Sequence, residues 1–286
     1  MRDHDSASGE ECANSNRHWH RERRHQDAGH HQGHPQGHHD YSAHSISRMR
    51  TDASLFRGLT FIGSRSNLTS IKTLTAHTQR GNAMKLYNSI GPNPRVVRMF
   101  MAEKGIAIPI QEVDLLKGEN RREPYLSKNS IGQLPALELD GGHCVTEITA
   151  ICEYLEDIHP LPPLIGDTPE KKAECRKWTR RIDLNIAEPL LAGFRFSLGL
   201  SLFKDRVPTV PEAAEGLKAV AQHYLRWLDG EMAGKEFVCG KRFTLADILL
   251  FCVLDFGATV RQPINPEFQN VTAWFARIKE RPSTKA

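Results

Sequence analysis

The sequence predicts a mixed α/β domain at residues 84–160 followed by an all-helical domain at residues 168–286. Three observations predict this fold class. Strand-like apolar runs surround one amphipathic helix within the segment that follows Met84. A proline-rich connector, HPLPPLIGD, comes next at residues 159–167. Beyond this connector every periodic segment has helical spacing, so the two kinds of structure are separated along the chain.

The α/β domain is predicted to run strand, helix, strand, hairpin, helix. MKLYNSI at residues 84–90 is typical of a strand, and GPNPR then opens a helix with Asn93 as its N-cap and Pro94 as its first residue. Gly105 is expected to end this helix. The other strands are predicted at residues 110–115, in IGQLPALEL from Pro135 onward and at residues 143–145. A crossover followed by a hairpin gives a mixed sheet flanked by helices.

The remaining predicted elements are helices. Thr146 is expected to cap a helix with an apolar face formed by Ile148, Ile151, Cys152 and Leu155. The helical domain is predicted to contain helices at residues 169–198, 211–231, 244–256 and 268–279. The helix at 244–256 has the clearest start, because Thr244 and Asp247 have the spacing of a capping box.

Charge and hydropathy argue against a nucleic-acid or membrane partner. The whole chain has a net charge of +4, but residues 84–286 hold 27 Lys and Arg against 26 Asp and Glu. The folded part therefore lacks the basic surplus expected of a nucleic-acid-binding domain. Its longest apolar run, at residues 248–254, is far too short to span a membrane.

Residues 1–83 have a different composition and contain 11 of the 14 histidines. HRERRHQDAGHHQGHPQGHHD has low complexity and no apolar periodicity, which predicts a disordered tail. Residues 43–83 hold six Lys or Arg and one acid, which is compatible with a mitochondrial transit peptide, especially if translation begins at Met49. A third interpretation, which we favour, is a gene-model artefact upstream of a true start at Met84, where the first strand begins.

The cysteines show no paired close spacing. They are Cys12, Cys144, Cys152, Cys175, Cys239 and Cys252. This pattern argues against a disulfide framework or a zinc site and fits a reducing compartment. We therefore expect a cytoplasmic protein without a metal, or a mitochondrial one if residues 49–83 act as a transit peptide.

Five separated motifs together resemble the glutathione S-transferase family of the cytosolic type. They are PNPRVVRMFMAEKGI, QLPAL, the TE pair before the second helix, AICEYLED and FTLADI. In this order they extend over essentially all of residues 84–286. The resemblance implies a thioredoxin-like glutathione-binding domain, a helical second domain, glutathione as co-substrate and a homodimer.

The resemblance also implies which residues bind glutathione. They are Gln133, Leu134, Pro135, Glu147, Ile148, Asn120 and Lys117. The Leu134–Pro135 bond would be cis and the Leu134 backbone would pair with the cysteinyl part, while Gln133 would contact the glycyl end or the γ-glutamyl backbone. Glu147 would accept the γ-glutamyl ammonium, and the adjacent carboxylate would sit on the N–H groups that open the helix.

Each of these assignments has a plainer alternative. Pro135 could be an ordinary trans edge proline, and Glu147 a first-turn acid favoured by the helix dipole. Lys117 and Asn120 would help to hold the glycine carboxylate, or they would simply be solvated loop residues. Many family members carry Ser where this chain has Ile148, so one hydroxyl contact to the peptide is replaced by the backbone N–H.

Three residues near the first helix are candidates to stabilise the glutathione thiolate. Asn93 ranks first, Ser89 second and Tyr87 third by their resemblance to the donor positions of different classes in the family. The alternative for Asn93 is a pure N-cap. The GPNPR segment contains no Cys, which excludes a dithiol or mixed-disulfide mechanism at this position.

The predicted activity is conjugation of the glutathione thiolate to a small electrophile, as in detoxification. Residues 188–203 would line the electrophile pocket by analogy with the family. Alternatives on the same fold are a glutathione-dependent isomerase, dehalogenase or disulfide reductase, and a non-catalytic member that binds ligands or partners.

Overall fold

The computed structural model describes residues 84–286, and the predictions made for residues 1–83 lie outside this range. A four-stranded sheet forms the centre of the first part. Its strands are β1 (Lys85–Asn88), β2 (Ile110–Glu112), β3 (Ala136–Glu138) and β4 (Cys144–Thr146). Their spatial order is β2-β1-β3-β4, with β1 parallel to β2, and with β3 antiparallel to both β1 and β4. The predicted mixed sheet is therefore confirmed.

The two faces of the sheet pack against different groups of residues, because successive side chains along a strand point to opposite faces. Leu86 and the paired Leu137 belong to the core that includes the two helices of this part, α1 (Pro92–Lys104) and α2 (Ile148–Ile158). Tyr87 points to the other face and forms a smaller apolar cluster with residues of the irregular segment after β2. This second face supports the loop that enters β3.

The second part is helical, as predicted. Its helices are α3 (Pro169–Ile182), α4 (Glu188–Arg195), α5 (Leu200–Phe203), α6 (Ala214–Glu231), α7 (Leu245–Thr259) and α8 (Gln269–Lys279). Helix α7 is buried from Leu245 through Leu254 and packs against α1, so one apolar core continues from the sheet into the helical part. Within residues 84–286, no helix is both long enough and apolar enough to cross a membrane.

The helical segment predicted at residues 169–198 is confirmed as far as Arg195, but it is not one regular α-helix. A π-helical turn, Asp183–Ala187, separates α3 from α4. Pro189, in the first turn of α4, has no N–H to donate to the carbonyl four residues earlier. The missing hydrogen bond interrupts the regular α-helical ladder at this point, which accounts for the wider turn.

The predicted start of α7 is confirmed. Thr244 is the N-cap, and its backbone N–H donates to Asp247 Oδ2 at 2.9 Å in a complete capping box. Asp247 Oδ1 also accepts from Val238 N and from Trp274 Nε1, both at 2.9 Å. The carboxyl group is fully buried, and this burial raises its pKa to about 6. One side chain therefore joins α7, the turn before it and α8.

Candidate functional site

The strand register brings three chain segments to one end of the sheet. Tyr87 of β1 lies opposite Ala136 of β3, and Ala136 lies opposite Thr146 of β4. Because both pairs are antiparallel, the residues that follow β1 and β4 and those that precede β3 meet at the same end. These residues are the start of α1, the Leu134–Pro135 pair and Glu147 at the start of α2.

The start of α1 differs from the prediction. The helix begins at Pro92, and its N-cap is Gly91, with φ 113° and no side-chain cap. Asn93 is the second helical residue, so the N-cap assignment was wrong. Pro92 fits the first helical position because that N–H has no intrahelical acceptor in any case. The Asn93 amide is half-buried, and no hydrogen bond joins it to another residue within 84–286.

The two hydroxyl candidates already have acceptors. Ser89 is buried, and its Oγ donates to the Val113 carbonyl oxygen at 2.7 Å, which joins the end of β1 to the residue after β2. The Tyr87 hydroxyl donates to Glu138 Oε2 at 2.6 Å. Burial and this carboxylate raise the pKa of Tyr87. Of the three candidates, Asn93 alone keeps a polar side chain without a partner among the described residues.

The peptide bond between Leu134 and Pro135 is cis, as the resemblance implies. Both residues are buried, and the backbone N–H and carbonyl of Leu134 have no hydrogen-bond partner in the described part of the chain. The preceding carbonyl, that of Gln133, accepts from the Tyr125 hydroxyl at 2.5 Å and from Asn129 Nδ2 at 2.9 Å. The loop is therefore held from one side, whereas the Leu134 backbone and the exposed Gln133 side chain make no hydrogen bond within residues 84–286.

The interpretation of Asn120 as a solvated loop residue was wrong. Its side chain is 3% exposed, and Nδ2 donates to the Gly132 carbonyl at 2.6 Å. Gly132 has φ 66°, and a Cβ at that position would lie 2.6 Å from the Asn120 carbonyl oxygen, so only glycine fits. Lys117 is exposed and pairs with Asp114 at 3.0 Å. Asn120 shapes the loop before Leu134, whereas Lys117 lies at the rim.

The start of α2 has an unusual backbone. Glu147 is the N-cap with φ 69° and ψ 127°, and its exposed side chain makes no capping hydrogen bond. Thr146, the predicted cap, is instead the last residue of β4. A non-glycine residue in this region costs about 1–3 kcal/mol, and such residues cluster at ligand sites. The backbone N–H groups of Ile148 and Thr149 lack intrahelical acceptors and can bind an anion.

Ile148 has its side chain against the core rather than in solvent. It is half-buried and packs on the large apolar cluster. The position therefore offers a backbone N–H and no hydroxyl, as the sequence predicted.

An aromatic group lies in the segment predicted to line an electrophile pocket. Phe194 of α4 meets Phe203 of α5 and Phe256 of α7 edge to face, with ring centroids 6.0 and 5.1 Å apart. Arg206, just after α5, donates to the Leu116 carbonyl at 3.0 Å. This hydrogen bond holds the aromatic segment against the loop after β2.

Sequence reasoning missed Tyr125, Asn129 and Arg206, which fix the loops around the site. Their segments are irregular, so no periodic pattern marks them. Arg206 bonds a residue 90 positions away, which no local signal reveals. Among residues 84–286, no group of three or more His, Cys, Asp or Glu side chains is arranged to hold a metal ion.

Two family models match the described part of the chain. The N-terminal domain of glutathione S-transferase matches residues 82–157, and its C-terminal domain matches residues 183–282. Glutathione S-transferase 2 of Saccharomyces cerevisiae is 32% identical over 200 residues, which are 68% of this chain and 84% of the relative. The protein therefore belongs to the glutathione S-transferase family.

Two further similarities bear on its role. The crystal structure of Gtt2 from Saccharomyces cerevisiae matches with a TM-score of 0.66 at 30% identity, over 70% of this chain and 98% of that one. Elongation factor 1-gamma of Carassius auratus is 30% identical over 174 residues, which are 59% of this chain but only 37% of that protein. The chain therefore matches only about a third of the length of that longer relative.

Proposed function

We propose that this protein conjugates the thiolate of glutathione to small electrophiles. The observation that carries the proposal is the meeting of three unsatisfied elements at one end of the sheet. They are the Asn93 amide at the start of α1, the Leu134 backbone and the uncapped N-terminus of α2 at Glu147. Together they match a tripeptide with a central amide, an amino-acid end and a thiol.

In this proposal each end of glutathione has a partner. The Leu134 N–H and carbonyl bind the cysteinyl amide as an added antiparallel strand. Glu147 accepts the γ-glutamyl ammonium, and the N–H groups of Ile148 and Thr149 bind the neighbouring carboxylate. Gln133 and Lys117, both exposed, contact the glycyl end.

Catalysis would rest on stabilising the thiolate. A free thiol has a pKa of about 8.5, so only a few per cent is ionised at neutral pH. The N-terminus of α1 and the Asn93 Nδ2–H group would favour the charged form, and each unit of pKa corresponds to about 1.4 kcal/mol. The sulfur then attacks the electrophilic atom and the leaving group departs. The aromatic residues Phe194 and Phe203 would form the apolar wall for the electrophile.

We also propose that the protein acts in detoxification as a cytoplasmic homodimer, with domains at residues 84–160 and 168–286. These properties follow from the family resemblance. A mitochondrial location would require residues 49–83 to act as a transit peptide.

A second candidate is a member of the fold that binds partners without catalysis. Two observations favour it: Ile148 supplies no hydroxyl, and an elongation factor is among the relatives. A different glutathione-dependent reaction, such as isomerisation, dehalogenation or disulfide reduction, would use the same thiolate on another substrate.

Calorimetric binding of glutathione to the full chain tests the proposal. The Glu147→Gln variant should bind roughly 10- to 100-fold more weakly, because a charged hydrogen bond contributes about 1.5–3 kcal/mol. Glu153→Gln is the matched control, since Glu153 lies on the same helix and bonds to Arg176. Equal affinity in both variants would contradict the proposed γ-glutamyl site. Glutathione binding without turnover of an aryl chloride would favour the non-catalytic candidate.

A further inference from the structure

The guanidinium group of Arg95 joins the start of α1 to distant parts of the chain. Arg95 lies in the first turn of α1, two residues after Asn93. Its Nη1 donates to Asp255 Oδ2 on α7 at 2.5 Å, and its Nη2 donates to the Thr284 carbonyl oxygen at 2.7 Å. Its Cζ lies 5.4 Å from the centroid of the Phe251 ring. Arg95 therefore holds the start of α1 against the helical part.

The ion pair between Arg95 and Asp255 is partly sheltered from water and rigidly placed. The two side chains are 22% and 31% exposed, and a hydrogen bond between two charged groups is stronger than a neutral one. The Phe251 ring is 1% exposed and stacks on Phe275, with ring centroids 5.0 Å apart. Because two acceptors and a fixed ring restrict the guanidinium, the pair determines where the start of α1 lies along α7.

Asp255 lies next to the aromatic group. The following residue of α7, Phe256, meets Phe194 of α4 edge to face, with ring centroids 5.1 Å apart. Phe194 in turn meets Phe203 of α5. The same turn of α7 therefore carries both the partner of Arg95 and one ring of the aromatic group.

We propose that Arg95 and Asp255 are positioning residues, which set the separation between the glutathione sulfur at the start of α1 and the aromatic wall for the electrophile. This inference rests on the proposed function, which places the sulfur beside Asn93 and the electrophile beside Phe194 and Phe203. Arg95 and Asp255 do not touch the reacting atoms, and they act through the relative placement of α1 and α7. A displacement of about 1 Å between reacting groups can lower a rate about 100-fold.

A second ion pair, at the other end of α1, provides a matched control. Arg281, which follows α8, donates from Nε and Nη2 to the two carboxylate oxygens of Glu103 at 2.8 and 2.7 Å. Glu103 lies eight residues after Arg95 on α1, which corresponds to about 12 Å along the helix. Both pairs join α1 to the second part of the chain, but of the two the Arg95–Asp255 pair lies at the end that carries Asn93.

Calorimetry of the full chain with glutathione and with S-hexylglutathione tests this inference without turnover, because the hexyl group takes the place of the electrophile on sulfur. We expect the unaltered protein to bind S-hexylglutathione more tightly, since the hexyl chain contacts the aromatic wall. Asp255→Ala should reduce this preference by at least about 5-fold, because the wall moves away from the sulfur. The Kd for glutathione should stay within about 2-fold in Asp255→Ala, and both Kd values should do so in Glu103→Gln.

Steady-state kinetics with an aryl chloride gives a second readout. Asp255→Ala should raise the KM for the aryl chloride and lower kcat, each roughly 5-fold, with an unchanged KM for glutathione. Asp255→Asn keeps an oxygen acceptor for Arg95 and should recover much of this loss; its smaller change in the same direction tests the inference if Asp255→Ala does not fold.

Two results would overturn the inference: an unchanged ligand preference in Asp255→Ala, or equal changes in Asp255→Ala and Glu103→Gln. Failure of the unaltered protein to bind glutathione would contradict the proposed function, and this inference with it. Binding of both ligands without turnover would contradict conjugation alone, and the comparison of the two Kd values would still decide whether Arg95 and Asp255 position the aromatic wall.

Discussion

A buried ion pair fixes the connector between the two parts of the protein and allows a sharp test of the packing. Lys104 of α1 and Glu156 of α2 lie 2.7 Å apart with side chains 0% and 5% exposed. Lys104 Nζ also donates to the Pro162 carbonyl at 2.7 Å, and the Glu156 carboxylate accepts from Ile165 N at 2.9 Å. Both helices therefore hold the connector through charged groups that water does not reach.

Glu156→Gln should lower the free energy of unfolding by about 3–5 kcal/mol, because it leaves the Lys104 ammonium buried without its counter-charge. Glu153→Gln, on the same helix, breaks an exposed pair with Arg176 and should cost about 0–1 kcal/mol. Urea unfolding followed by circular dichroism measures both. The double variant Lys104→Met/Glu156→Leu should lose less stability than the sum of the losses in Lys104→Met and Glu156→Leu measured separately. Equal losses in Glu156→Gln and Glu153→Gln would refute the reasoning.

Three further predictions concern the loop, a buried acid and the thiolate. Gly132→Ala should destabilise the protein by more than about 1 kcal/mol in urea unfolding, because its Cβ would meet the Asn120 carbonyl, whereas Gly141→Ala, which has open space, should be nearly neutral. Burial raises the pKa of Asp247 to about 6, so the contribution of this carboxyl group to stability is complete below about pH 4. That contribution is lost as the pH rises through 6, which lowers the free energy of unfolding by roughly 3 kcal/mol. Asp247→Asn should remove this dependence of stability on pH, and an unchanged dependence would contradict the raised pKa of Asp247. Asn93→Ala should reduce kcat/KM for conjugation at pH 7 by about 10-fold and shift the pH–rate profile upward by about one unit, and full retention of activity would reject Asn93 as the donor.

The elements that sequence predicted best are those with local signals. Thr244 and Asp247 form a capping box within four consecutive residues, and α7 starts there. The start of α1 was misplaced because GPNPR offers two prolines for the first helical position. The positive φ of Gly91 selects Pro92, and the sequence alone does not reveal that backbone angle.

The candidate site was partly predictable for the same reason. Leu134, Pro135 and Glu147 were expected in the site because their local motifs resemble those of the family, and the strand register places them at one end of the sheet. The hydroxyl groups of Ser89 and Tyr87 donate hydrogen bonds to residues 24 and 51 positions away, so the local sequence could not predict these bonds. Asn120 likewise holds the loop through a hydrogen bond to the carbonyl of Gly132, which is 12 residues further along the chain.

The ultraviolet absorbance of the glutathione thiolate, measured on the complex as a function of pH, tests the central claim most directly. We predict that bound glutathione ionises at least about one unit below the ordinary thiol value of about 8.5, and that Asn93→Ala reverses most of this shift. Asn185→Ala, which removes a hydrogen bond in the helical part, should leave the midpoint unchanged. A bound thiol that titrates at its ordinary value in the unaltered protein would contradict the account.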